Sequence, residues 1–211
     1  MLVEYYGVED NFCEWSYIHG VLEHLNLDDN FKIHVVSTTP EWDYRGKVVL
    51  DKEKKNVIIG LADEWSSDNI PREWKDNATV FKAYLKPEQE QGNVHSFPLG
   101  YNKKHTKLPN KPIQSRPIDV FFAGHMASTN RRHYLRWVID YFQEMEPTKR
   151  PKLDFNITRG FNTGLNGKEY SQKLHDAKIV VCPAGNVSME TFRHYEAMRS
   201  GAIVVSPKLP C

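Results

Sequence analysis

The sequence predicts an α/β protein built of two Rossmann-like domains, each with a parallel sheet. Three observations carry that expectation. Short apolar runs alternate with stretches of helical period on both sides of the midpoint. Apolar runs give way to helical patterns through glycine, as at Gly124 and Gly185. Between the two blocks lies a stretch, residues 102–117, rich in Lys, Pro, Asn and Ser and almost without periodicity. It reads as an interdomain linker. The expected domains are residues 1–108 and 109–211.

The elements follow in order. Residues 2–6 read as a strand and residues 14–25 as an amphipathic helix, with Trp15, Ile18, Leu22 and Leu25 at helical spacing. Residues 31–37, 47–50 and 57–61 are expected strands, the last two separated by a charged turn at 51–55, and residues 79–84 and 94–97 are two more. Beyond the linker, 119–123 reads as a strand, and 131–145 as a helix that Glu146 and Pro147 end. Then come a strand at 153–158, a short helix at 168–176, a strand at 178–182, a helix at 189–200 and a strand at 202–206. Phe192, Tyr195 and Met198 have the spacing to hold the 189–200 helix against the sheet. The chain stops just after a strand, where a doubly wound sheet would continue. The sequence is therefore read as a C-terminally truncated fragment with its second domain incomplete.

Composition bounds the function. A chain of 211 residues, 40% hydrophobic and 26% charged, supports one ordinary domain or two small ones with real cores. A formal net charge of +1 argues against binding nucleic acid through bulk charge. No run approaches the roughly 18 consecutive apolar residues of a membrane helix, and the N-terminus has no signal-peptide pattern. Cys13, Cys182 and Cys211 form neither a zinc pattern nor a disulfide framework, which fits a reducing compartment. The expected location is cytoplasmic or, for a fragment, the soluble part of a membrane-associated or Golgi-type enzyme.

The segment from Lys178 to Ser206 carries the most chemistry. An apolar strand ends at Pro183-Ala184-Gly185, a polar loop with Ser188 follows, and then a helix with Glu190, Thr191, Arg193 and Glu196 that Gly201 closes. Ligands of open α/β sheets sit at the carboxyl ends of strands. Glycine there admits a phosphate, and free N–H groups with the helix dipole favour a diphosphate. Ser188 reads as an N-cap. Arg193 and Glu196, three apart, share a helix face and suit phosphate and ribose hydroxyls in turn. The same spacing also fits a plain structural unit: a glycine cap, a capping Ser and a surface Arg–Glu pair.

The residues Cys182-Pro183-Ala184-Gly185, then Thr191-Phe192-Arg193-His194-Tyr195-Glu196-Ala197-Met198, then Gly201-Ala202-Ile203-Val204-Val205 and Leu209-Pro210 resemble the signature of exostosin-like glycosyltransferases. That signature is a Cys-Pro-x-Gly strand end, Ser-x-Arg-x-x-Glu-Ala, and a Gly-Cys-Ile-Pro-Val strand. The chain departs from it at Thr191, at Ala202 and Val204, and in a loop about one residue longer before Thr191. Phe121-Phe122-Ala123-Gly124, followed by Asn130-Arg131-Arg132, is similar to the opening of the family's donor domain. The resemblance covers residues 119–211 well and residues 57–101 in layout only. It implies the two-domain GT-B architecture and a nucleotide diphosphate sugar as donor. Gly124 would admit the phosphates, Arg131 or Arg132 would neutralise them, and Glu196 would take the ribose. Of the two glutamates of the broader pattern, Glu196 matches the second, and Ser188 stands at the first. Arg159, just past the 153–158 strand, is a further donor-side candidate or a plain turn residue, and His125 is placed to touch the phosphates.

Transfer with inversion needs a base on the acceptor hydroxyl. Asp63 and Glu64 follow an apolar strand and are the first candidates. Glu9, Asp10 and His19 are others, and each also reads as an ordinary surface residue. His133, His175 and His194 read as surface residues. The nine histidines show no metal-ligand spacing, and the Asp28-Asp29 pair sits in a turn after a helix. The expected activity is metal-independent transfer of a sugar to a hydroxyl, on a glycan or another acceptor. The rivals are a sugar-nucleotide epimerase and a non-catalytic nucleotide- or glycan-binding module.

Overall fold

A computed structural model describes residues 2–26, 28–39, 42–61, 69–126, 128–160, 163–185 and 189–208. The chain divides into two compact units, Met1–Gly100 and Tyr101–Cys211. Each is an α/β unit on a parallel sheet. Among the described residues, no helix is long and apolar enough to cross a membrane.

The first unit contains strands β1 (Leu2–Tyr6), β2 (Phe31–Thr39), β3 (Trp42–Asp43), β4 (Lys55–Leu61), β5 (Ala78–Lys82) and β6 (Val94–Ser96), with helices α1 (Trp15–His24) and α2 (Arg72–Asn77). The sheet runs β1-β2-β4-β5-β6, all parallel, and β3 is a short antiparallel addition to β2. Side chains alternate across it with period 2. Ile33, Val35 and Ile59 pack under Ile18 and Leu22 of α1. On the other face Val36, Ile58 and Val80 pack with Trp74 of α2. Residues 47–50, expected as a strand, are not one. Val48 and Leu50 do point into the core, with Val49 71% exposed between them. The period-2 pattern is genuine, but the segment has no ladder partner and follows a 3-10 turn at Arg45–Lys47. The sequence reading also misses α2, which is only six residues long, and β3.

The second unit contains β7 (Ile118–His125), α3 (Thr129–Gln143), β8 (Leu153–Thr158), α4 (Gly167–Asp176), β9 (Ala177–Val181), α5 (Phe192–Arg199) and β10 (Ile203–Val205). Its sheet order is β10-β9-β7-β8, all parallel. Leu135 and Val138 of α3 cover Val120, Phe122 and Val181. Leu174 of α4 and Ala197 of α5 cover Phe121, Ala123 and Val180 on the opposite face. The helix starts are capped locally: Ser128 Oγ accepts the Arg131 N–H, and Asn166 and Glu169 exchange bonds in a capping box. Gly201, at φ 70°, closes α5, with its N–H on Met198 O and the Ala202 N–H on Ala197 O. The helix begins at Phe192 rather than at residue 189. Its buried residues are His194, Glu196 and Ala197, while Met198 is 55% exposed. The apolar spacing pointed to the wrong face because two of the buried positions are polar.

Residues 102–117, expected as a linker, are built into the second unit as a strap. The Thr106 N–H donates to Ser171 Oγ (2.9 Å), and Lys111 Nζ pairs with Asp176 (2.8 Å). Arg116 is buried and gives its N–H groups to the carbonyls of Lys111, Ala177 and Ser200. Low periodicity here reflects polar anchoring in place of an apolar face. The Arg199 guanidinium lies 3.8 Å from the Tyr101 ring centre and donates to His105 Nδ1 at 3.1 Å. Arginine can only donate, so Nδ1 accepts and the His105 proton sits on Nε2, which gives it to Ser200 Oγ (3.2 Å).

Burial, helped by the Arg199 charge, pushes the His105 pKa down to about 4. The unfolded value is near 6.5. A depressed folded pKa means the stabilisation is complete above the unfolded value and is lost as pH falls from about 6.5 towards 4, by up to about 3 kcal/mol. His34 and His194 are shifted the same way by burial and contribute with the same sign. Urea midpoints at pH 7.5 and 4.5 should therefore fall further for the wild type than for His105→Gln. Equal falls in both proteins would remove His105 as a source of acid sensitivity.

Candidate functional site

The order of the second sheet reverses at one place. From β7 the chain moves to β8 on one side, and from β9 it moves to β10 on the other, while β7 and β9 are neighbours. Ligands of open α/β sheets occupy the crevice outside such a reversal, at the carboxyl ends of the strands. Here those ends are Ala123-Gly124-His125 and, after β9, Cys182-Pro183-Ala184-Gly185.

Arg131, in the first turn of α3, ties the two ends together. It is 8% exposed, with Nε donating to Ala184 O (3.0 Å) and Nη1 to His125 O (2.7 Å). Its guanidinium therefore positions the rim of the crevice. Arg132 lies outside, exposed, and donates to Met126 O and Thr129 Oγ1.

Arg193 enters from α5. Its Nη2 donates to Ala123 O (2.6 Å), and the guanidinium lies 5.0 Å from the centre of the Phe122 ring. Nε and Nη1 are buried and have no hydrogen-bond partner among the described residues. Gly124, at φ 154°, makes this possible, since a Cβ at that position would collide with Arg193 Nη2. Unused guanidinium donors beside a glycine and at a helix start are features that suit an anion. Thr191 is the N-cap of α5, a role the sequence reading gave to Ser188. Gly185 is buried directly after Ala184.

Glu196 is buried on the same helix. Oε1 accepts the Asn102 N–H (3.2 Å), and Oε2 accepts the Tyr170 hydroxyl (3.0 Å). Burial raises its pKa, opposed by these two donors and by the charge of Arg193. Tyr170 is held well above the usual phenol range by burial and by Glu196, so it stays a donor. Each carboxylate oxygen thus accepts one hydrogen bond and has a second lone pair. Cys182 is buried, which pushes its thiol up to about 12, so it is an inert packing residue.

The arrangement brings Gly124, His125, Arg131, Gly185, Thr191, Arg193 and Glu196 around the carboxyl ends of β7 and β9. Arg159 follows β8, the neighbouring strand, and is exposed. Asp63, Glu64 and Ser188 lie outside the described residues. Glu9 and Asp10 are exposed in a 3-10 turn after β1, and the His19 ring is stacked on Tyr5 and tilted against Trp15. The sequence reading missed Tyr170 and the Asn102 N–H as partners of Glu196, because both come from segments far away in the chain. It also put His194 on the surface, whereas that ring is buried. Lys82, buried at the carboxyl end of β5 with Nζ on Ala83 O, is a further polar group no motif announced. No family model and no curated protein matches the chain.

Gly124→Ala should displace the Arg193 guanidinium. Overpacking of this kind costs about 1–3 kcal/mol, read as a lower urea midpoint. An unchanged midpoint would mean that the guanidinium moves aside freely and that Gly124 is not what holds it.

Proposed function

We propose that the second unit binds the diphosphate of a nucleotide sugar at the β7/β9 reversal. We further propose that the protein is a glycosyltransferase of the GT-B kind, moving the sugar to an acceptor hydroxyl such as that of a glycan. The observation that carries this reading is Arg193, whose Nε and Nη1 are buried without an acceptor beside Gly124. The resemblance of residues 182–205 to exostosin-like enzymes supports it from the sequence side.

In this reading the bond from the sugar's anomeric carbon to the diphosphate breaks, and negative charge grows on the leaving phosphate. Arg193 and the positive end of the α5 dipole meet that charge and lower the barrier. They take the part that a metal plays in other transferases. The ribose hydroxyls meet the remaining lone pairs of Glu196. Asp63 and Glu64 are proposed to take the acceptor's proton.

Thermal shift against UDP-, GDP-, ADP- and CMP-sugars, followed by calorimetry with the stabilising nucleotide, tests the reading. Arg193→Ala should weaken binding by roughly 10- to 100-fold, the loss of about 1.5–3 kcal/mol of charge-assisted bonding. Equal affinity in the two proteins, or no stabilisation by any donor, would overturn it.

A further inference from the structure

The residue after Arg193 shows a second unmet donor. His194 is 2% exposed, yet its Nε2 has no hydrogen-bond partner among the described residues. The Thr191 N–H, whose hydrogen has a fixed direction, points at His194 Nδ1 at 3.2 Å. Nδ1 is therefore an acceptor, although Thr191 O also lies 3.2 Å away, and Thr191 Oγ1 at 3.0 Å is free to donate to the same nitrogen. The ring is kept neutral by burial, with the Arg193 charge acting in the same direction. A neutral imidazole with Nδ1 accepting carries its one proton on Nε2. His194 thus presents an enclosed N–H that no described residue receives.

We propose that the Nε2–H of His194 and the unused N–H groups of Arg193 form one donor set for a diphosphate, at the first turn of α5. Resting on the diphosphate reading above, this adds a residue that the motif leaves unspecified. Buried donors without acceptors are costly, and an anion removes the cost of several together. Arg193 and His194 are consecutive residues of the first turn of α5, and each holds buried donors that no described residue accepts. Glu190, the nearby carboxylate, accepts the Tyr195 hydroxyl.

Two substitutions separate this role from helix capping. His194→Asn keeps an acceptor at the position of Nδ1 and removes the Nε2 donor. His194→Gln keeps a donor near Nε2 and removes the cap. Calorimetry with inorganic pyrophosphate and with UDP is run on the wild type and both variants. The Asn variant should keep the wild-type urea midpoint and lose roughly tenfold in pyrophosphate affinity, the equivalent of one good hydrogen bond. The Gln variant should lose stability and keep most of its affinity. If the Asn variant binds pyrophosphate like the wild type, His194 is only a cap and the proposal fails while the Arg193 site stands. If the wild type binds neither ligand, both readings fail. If it binds pyrophosphate, with the Asn variant impaired, but no nucleotide, the donor set stands and the sugar-nucleotide reading fails. Should the Asn variant not fold, NMR of the wild type with isotope-labelled histidine decides. A ring N–H should move downfield and exchange more slowly on adding pyrophosphate, and no change would overturn the proposal.

Discussion

Two backbone carbonyls, His125 O and Ala184 O, face one guanidinium, and the arrangement of the second unit depends on that tie. Parallel strands stop hydrogen-bonding where their ladders end, so the segments beyond β7 and β9 have to be fixed by other means. A buried arginine suits this, since its planar fork reaches two acceptors that a lysine would satisfy one at a time. With those segments fixed, Gly124 and Gly185 keep a defined separation, and α5 can bring Arg193 down onto Ala123 O.

The same solution recurs through the unit. Arg116 closes the carboxyl end of α5 and the start of β9 by holding Ser200 O and Ala177 O, and Arg199 fastens His105. These guanidinium groups act as backbone ties as well as charges. Arg193 differs because only part of its donor set is used. The first sheet offers a contrast. Its five parallel strands lie in chain order, so the described residues of that sheet contain no strand reversal.

Much of the fold was legible because apolar periodicity records burial. Strands β1, β8 and the helix α4 appear in the sequence almost at their observed bounds, since their apolar residues and flanking turns agree. The pattern failed where polar groups do the packing. The strap looked like a linker because Asn102, His105, Lys111 and Arg116 anchor it through hydrogen bonds, which leave no hydrophobic period. The buried side of α5 was misread for the same reason, with His194 and Glu196 inside and Met198 outside. At the site, local motifs marked Gly124, Arg193 and Glu196. The partner of Glu196 at Tyr170 lies 26 residues away in sequence and left no local signal.

The contact between His105 and Ser200 invites comparison with the hydroxyl–imidazole pairs of covalent hydrolases. In those pairs the imidazole takes the hydroxyl proton, so the nitrogen facing the hydroxyl must be bare. Here Arg199 donates to the far nitrogen and forces the proton onto the near one. A cation also stands where such enzymes keep a carboxylate, so charging the ring is opposed rather than assisted. Ser200 is thereby kept from nucleophilic activation, and the pair serves as a lock on the strap with no acyl chemistry available to it.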